Sequence, residues 1–481
     1  MISRTGILVG LGLLAAAAAA AAPASAQTLN DALAQAYANN PTLQAERANL
    51  RATDEYVPAA LAGWRPQVAL NGSAGYTSGN TTTGSSLTGT NETVSASRDL
   101  AQVEATVTET LYNGGKTKAT TAQAKDRVRA ERANLINIEQ QVFSSVVTAY
   151  VTVIQNQQLL ALAINNAQVL KEQLKATQDR FSVGEITRTD VAQSESSLAQ
   201  AEAEVQTAKG NLETARATYE QVVGSPPGRL TPPQPLALPV NSRQEAALQA
   251  AANNPAVIQA KFVQSEASDS VDVAWSALMP KLQLEGIGYD QINQSESNYT
   301  TTGAEVVATL SVPIYQGGSE YAGIRQAVQQ REQARQQVDI QRRTAVQTAE
   351  SNWESLVATR ATITSTRAEI AANEIALDGT EREAIVGSRT TLDVLNAQQL
   401  LLQSQVTLVQ NLANLVTASY NVAGAIGRFT ARDIGLHVPL YDDNAYYRAV
   451  KDSWFGTGDP TSNTVGNPNG SPADNLRNDN H

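Results

Sequence analysis

The hydrophobic positions of this chain follow two periods, and the chain switches between them twice. Residues 29–62 carry apolar side chains at helical spacing, with an interruption near Pro41. From Pro66 to Tyr76 the period drops to two, with Val68 and Leu70 alternating with polar or small residues. A Gly/Ser/Thr/Asn-rich stretch over 77–98 reads as a loop. A second alternating run then places Val103, Ala105 and Val107 on one face and Glu104, Thr106 and Thr108 on the other. The helical period returns at 116 and holds without a proline to 182, on the order of 100 Å at 1.5 Å per residue. A short glycine turn leads into a return helix over 188–223. There Val191, Leu198, Val205, Leu212 and Tyr219 recur every seven residues, each followed three residues on by Ser194, Ala201, Ala208, Ala215 and Val222. The long helix answers with Val146, Val153, Leu160, Ala167 and Leu174. Sustained heptads with small residues at alternate positions predict close antiparallel coiled coils, so these stripes are packing rather than ligand sites.

The second half repeats the first. Ala38-Asn39-Asn40-Pro41 returns as Ala252-Asn253-Asn254-Pro255, 214 residues later, and Pro66 and Gly72 return as Pro280 and Gly286. Downstream the offset is 203. Tyr112-Asn113-Gly114-Gly115 returns as Tyr315-Gln316-Gly317-Gly318, Val183-Gly184 as Val386-Gly387, Asp190-Val191 as Asp393-Val394 and Gly224 as Gly427. The change of offset lies between Gly72 and Tyr112, so the first copy is expected to carry a longer loop there. In the second copy Leu282 and Leu284 open one strand, and Val306, Ala308, Leu310, Val312 and Ile314 form one face of the next. A long helix over 319–385, with Leu356, Ile363, Ile370 and Leu377, and a return helix over 391–426 complete it. The boundaries predicted are 27–225 for the first repeat, 226–242 for a linker with six prolines, 243–430 for the second repeat, and 431–481 for a polar, largely disordered tail.

Element lengths constrain the architecture. Each return helix covers about half of its long partner, and the helix before each hairpin has the length to cover the rest. The body is therefore a long helical bundle, with strands at one end and glycine turns at the other. Strands of about 11 residues with weak alternation fit transmembrane β-strands, and they also fit an ordinary soluble hairpin. One chain supplies four strands, too few to close a barrel, and open edges are forbidden in lipid. A membrane version has to oligomerise, and three subunits give 12 strands.

The first residues read as an export signal, with Arg4 in a basic n-region, an apolar run over 7–22 and a small-x-small site at 24–26. No later stretch approaches 18 apolar residues. The chain has 35 basic and 46 acidic side chains, a net charge of −11, which repels phosphate backbones and argues against nucleic-acid binding. Cysteine is absent, which excludes disulfides, thiol nucleophiles, Cys-ligated metals and an N-terminal lipidated Cys. Two histidines, His437 and His481, leave little for a catalytic triad or a His-rich metal site. Gly115-Lys116-Thr117 looks like the end of a phosphate-binding loop, but Thr110 stands where that loop needs glycine. No enzyme, cofactor or metal is expected. Tyr112 and Tyr315 at strand ends, with Trp64 and Trp275 at the opposite helix–strand junctions, are candidates for interfacial belts or for junction packing.

Four segments carry a family resemblance. They are Leu111-Tyr112-Asn113-Gly114-Gly115, Ile314-Tyr315-Gln316-Gly317-Gly318, Phe181-Ser182-Val183-Gly184 with Thr187 and Asp190, and residues 386–395. Together with the duplication they resemble the TolC family of outer-membrane efflux and secretion channels over residues 28–430. The resemblance implies a mainly α fold with a β-barrel contribution: a duplicated coiled-coil tunnel in the periplasm, four transmembrane strands per subunit, and a homotrimer closing a 12-stranded barrel in outer-membrane lipid. It implies a periplasmic membrane-fusion adaptor and an inner-membrane ABC or proton-driven transporter as partners, for type I protein secretion or small-molecule efflux. By matching positions, Val183, Gly184, Val386 and Gly387 resemble adaptor-docking turns. Asp190, Arg389 and Asp393 resemble gate residues at the tunnel entrance, with Thr189 nearby, and Arg389 of one coil is expected against an acidic residue of the next. The family pattern has a second acidic residue where this chain has Asn396, which implies one acidic ring. Asp190 and Asp393 also read as helix N-caps. The alternative function is a soluble periplasmic coiled-coil scaffold.

Overall fold

The computed structural model describes residues 26–84, 89, 91–294 and 298–458. The export signal and residues 459–481 lie outside this range. The polypeptide enters through α1 (Leu29–Asn39), α2 (Pro41–Asp54) and α3 (Tyr56–Leu61), then forms the hairpin β1 (Gln67–Gly84) and β2 (Asn91–Asn113). The long helix α4 (Lys116–Ser182) and the return helix α5 (Arg188–Val223) follow. The second copy consists of α6 (Arg243–Asn253), α7 (Pro255–Trp275), β3 (Lys281–Ile292), β4 (Thr300–Ser311), α8 (Ser319–Ile385) and α9 (Thr391–Ala425). A short helix, α10 (Ala445–Val450), lies in the C-terminal segment.

The repeated Asn-Asn-Pro motif explains how the half-length helices stack. Asn40 caps α2 by accepting from Thr42 N–H at 3.0 Å, and its Nδ2 donates to the Val222 carbonyl at 2.9 Å. Asn254 does the same with Ala256 N–H and the Ala425 carbonyl, both at 3.0 Å. Each asparagine thus starts one helix and ties down the end of a return helix, satisfying groups that both termini leave open.

The core is thickest at this level. Tyr37, Phe143, Tyr150, Tyr219, Tyr420 and Phe429 converge there. The Tyr150 hydroxyl donates to the Thr231 carbonyl at 2.7 Å, anchoring the linker. One 18-residue window of α4 has the mean hydropathy of a membrane span, and 33% of it is buried within the chain. Val146, Val147, Tyr150 and Val153 of α4 are buried in this core.

The four strands form one antiparallel sheet in the order β1-β2-β3-β4, so β2 and β3 join the two copies. The first hairpin departs from expectation. Most of 77–98 is strand: β1 has 18 residues and β2 has 23, against 12 each in β3 and β4. The extra residues of copy one lengthen the hairpin instead of widening its loop. Alternation is unreadable there because the described side chains on both faces of this stretch are mostly polar and exposed.

The C-terminal segment also differs. Residues 431–458 are placed, and much of the stretch straps the body instead of trailing away. Ala431 and Leu436 are buried in the core, and the Tyr441 N–H donates to the Tyr37 hydroxyl at 3.0 Å. The Tyr446 hydroxyl donates to Glu55 at 2.7 Å, and Arg65 stacks on Trp454 at 4.9 Å. The segment is polar in composition, yet a few aromatic anchors suffice to seat it on α1–α4.

Candidate functional site

Two regions can do work: the sheet and the two helical tips. Across the sheet, Val68 faces Val107, Val107 faces Gly286, and Gly286 faces Val306, one apolar row over all four strands. One residue along, Ala69, Thr106, Ile287 and Glu305 form a mixed row on the other face, and Asn71, Glu104 and Tyr289 continue it with polar groups. Val68 and Val306 are 74% and 75% exposed within the chain. An apolar face with no protein against it and an opposite polar face are what a lipid-facing, lumen-lining strand requires. The outer edges of β1 and β4 pair with no other strand among the described residues.

The aromatic residues cluster at one level. Trp64, Trp275, Tyr112 and Tyr315 are all exposed where helices meet strands. Tyr112 is level with Leu282, near the start of β3, so these residues share one junction instead of marking opposite ones. Tyr315 stands four residues beyond the end of β4 and does not close it.

At the far end each coil turns through a glycine in the left-handed region, Gly184 at φ 83° and Gly387 at φ 79°. Glu185 N–H reaches back to the Arg180 carbonyl, and Ser388 N–H to the Glu383 carbonyl, each at 3.0 Å. This is the glycine-terminated helix end in which a residue without Cβ lets the chain reverse. Val183 and Val386, 72% and 78% exposed, sit at the apex with Phe181 and Ile385 nearby. Each tip therefore presents an apolar knob on a tight turn.

Beyond the turns, the structure corrects the capping assignment. The N-caps are Thr187 and Thr390, and the aspartates stand three residues in. Asp190 accepts from the Thr187 N–H at 3.0 Å and hydroxyl at 2.7 Å; Asp393 accepts from the Thr390 N–H at 2.9 Å and hydroxyl at 2.8 Å. These are reciprocal capping boxes, and the Thr-x-x-Asp spacing was the signal in the sequence that identifies them. The Thr187 hydroxyl and N–H hold the Asp190 carboxyl below its usual range, and the Thr390 N–H and hydroxyl do so for Asp393.

Among the described residues, Arg389 has no ion pair with an acid of the other coil of its own chain. It pairs with Glu383 of its own turn at 2.9 Å, and that partner raises its pKa. The first tip has a matching closure, Arg180 to Glu185 at 3.2 Å. Glu383, Glu185 and Arg180 belong to the tip chemistry and escape notice in sequence, because each partner comes from the other side of a turn. Thr189 is exposed beside Asp190. Asn396 lies in a cleft between the coils, with Asn166, Leu170 and Gln193.

No group of three or more His, Cys, Asp or Glu able to hold a metal occurs among the described residues. The sequence model of outer membrane efflux proteins matches residues 32–225 and 247–428. The chain belongs to this family. It is similar to outer membrane efflux protein BepC of Brucella suis biovar 1 (strain 1330), 38% identical over 451 residues, 93% of this chain and 96% of that one. It is 25% identical to outer membrane protein TolC of Escherichia coli (strain K12) over 457 residues, 89% and 87% of the two chains. Among solved structures, the outer membrane protein VceC of Vibrio cholerae superposes with a TM-score of 0.70 at 19% identity, over 83% of this chain and 96% of that one. The chain is thus a TolC-like channel of the outer membrane for efflux or secretion: the strands span the membrane and the helical coils build the tunnel.

Proposed function

We propose that this channel works as a homotrimer that takes cargo from an inner-membrane ABC or proton-driven transporter through a periplasmic adaptor. The reading is of a conduit without catalysis or cofactor. The observation that carries it is the four-stranded sheet with an apolar face and two unpaired outer edges. Unpaired edges cannot face hydrocarbon, and three copies edge to edge remove them all. The exposed Val183 and Val386 turns are the adaptor's docking points. Asp190, Thr189, Arg389 and Asp393 surround the tunnel entrance, with Asn396 in place of a second acid, and the two aspartates supply fixed negative charge there.

Of the two cargo classes, small-molecule efflux is favoured, because the relative covering nearly the whole chain at 38% identity is described as an efflux protein. The test is in two parts. Multi-angle light scattering of detergent-extracted protein should give a mass of three chains, and a monodisperse monomer with intact β signal overturns the trimer. Removing the protein from its host should raise sensitivity to detergents and dyes. Unchanged sensitivity with loss of a secreted protein moves the assignment to type I secretion.

A further inference from the structure

The internal repeat lets one subunit describe the contact between two. Within the chain the coils meet through α4 and α9. Leu170 and Asn166 of α4 lie by Leu392, Leu395 and Gln399 of α9, and Val151, Ile154 and Gln158 lie by Val409, Leu412 and Val416. Adding 203 to α4 gives α8, and subtracting 203 from α9 gives α5. The same contact therefore recurs between α8 of one copy and α5 of another. It sets 369–373 beside 189–196, and 354–361 beside 206–213.

Burial agrees. α4 and α8 are both 67 residues long, yet α4 buries 20 of them and α8 only eight. Val357 on the open side of α8 is 45% exposed, whereas its repeat equivalent Ile154 in α4 is buried. The face of α8 that corresponds to the covered face of α4 is bare.

The side chains flanking the two contacts differ in kind. Inside the chain, the heptad flank of α4 is Gln157, Ile164 and Lys171, and that of α9 is Thr391, Gln398, Gln405 and Leu412, uncharged apart from Lys171. At the equivalent positions α8 has Arg360, Arg367 and Glu374, while α5 has Arg188, Glu195, Glu202 and Lys209. All seven are exposed, and none has an ion-pair partner within the chain among the described residues. In the inferred register Arg360 and Arg367 fall against Glu202 and Glu195, and Glu374 against Arg188. Antiparallel neighbours that share a flank pair charges across the seam in this way.

We propose that this charged flank is a subunit-to-subunit seam, in which α8 of one copy binds α5 of the next through Arg360 and Arg367 opposite Glu202 and Glu195. The proposal rests on the trimer reading and adds to it which helices meet, in what register, and why copy two of one chain selects copy one of another. The flank with a single charge suits coils joined by a linker, whereas the charged flank opposes like-with-like pairing during assembly.

The absence of cysteine makes the test clean. Arg367→Cys with Glu195→Cys, treated with a short bis-maleimide, should yield covalent dimers and trimers on a denaturing gel. The repeat-equivalent pair, Ile164→Cys with Gln398→Cys, should react only within the chain and stay monomeric. Exposed single pairs are weak, so the energetic arm uses reversal of several charges. Glu195→Lys with Glu202→Lys should cut the trimer fraction at low salt at least severalfold, and adding Arg360→Glu with Arg367→Glu should restore it. Light scattering on the same samples separates the two ideas. A trimer without crosslinks, or without rescue by the second reversal, overturns the seam and leaves the trimer standing. A monomer in unsubstituted protein overturns the trimer reading itself.

Discussion

At the scale of single residues, two aspartates carry a structural and an electrostatic role at once, and the structure shows how to separate them. Asp393 closes a capping box with Thr390 and also places a carboxylate at the tip. Asp393→Asn keeps an acceptor for the Thr390 groups and removes the charge. It is expected to weaken cation preference in planar bilayers with no loss of thermal stability. Asp393→Ala should do both, at about 1 kcal/mol per lost cap. Equal reversal potentials for Asn and wild type would remove Asp393 from the ion pathway. For closure, Arg389→Ser with Asp190→Ala should raise single-channel conductance severalfold. If conductance stays at the wild-type level, the apolar heptad contacts hold the closed state.

A second residue-scale prediction concerns Asp54, which is 1% exposed beneath the C-terminal strap. Burial pushes its carboxyl up to about 7, partly opposed by Arg132 at 3.9 Å and reinforced by Asp443 and Glu55. Unfolded, the same group titrates near ~3.9. Between these values the folded protein holds a proton that the unfolded chain has released, so this group lowers stability as pH rises from about 4 to 7. Asp54→Asn should therefore raise Tm relative to wild type at pH 8, with the gain more than halved by pH 5. A pH-independent difference would show that Asp54 is ionised throughout.

At the scale of elements, helix ends decide more than helix interiors. The glycines that end the return helices are chemically equivalent in sequence but sit in different surroundings. Gly224 has φ 89° with open space where a Cβ would stand, while Gly427 has φ 75° with the Asn253 carbonyl in the way. Gly224→Ala should cost about 1 kcal/mol, the ordinary penalty for a left-handed alanine. Gly427→Ala should cost clearly more, because it also displaces the end of α6 beside the Asn254 cap. Chemical denaturation of the two variants checks this, and equal midpoint shifts would show that the backbone yields without strain. The heptads themselves were legible: Ala201, Val205, Leu212, Ala215 and Tyr219 are buried as their spacing predicts. The extended first hairpin was not, since exposed Thr, Ser, Gly and Asn give no alternation whether paired or looped.

At the scale of the whole molecule, the long coils set a distance between a membrane-spanning end and the two glycine turns. Gly184→Trp or Gly387→Trp should abolish transport while leaving the trimer intact, because the change is confined to the apex of a turn far from the sheet. Sensitivity assays with matched expression check it, and normal efflux would exclude the turns as the docking point.

The sequence by itself determined the duplication, the long helices and their heptads, the glycine turns and the need for a partner to close the sheet. These rest on local periodicity and on residues whose backbone requirements are particular to them, so neighbours along the chain suffice to show them. Only the tertiary structure decided that Asn40 and Asn254 tie helices separated by 182 and 171 residues, and that 431–458 is placed, with much of it strapped to the body instead of trailing away. It also decided that Arg389 turns to Glu383. Each of these is a contact between segments that carry no mutual period, and only the folded geometry selects one partner among several of equal chemistry.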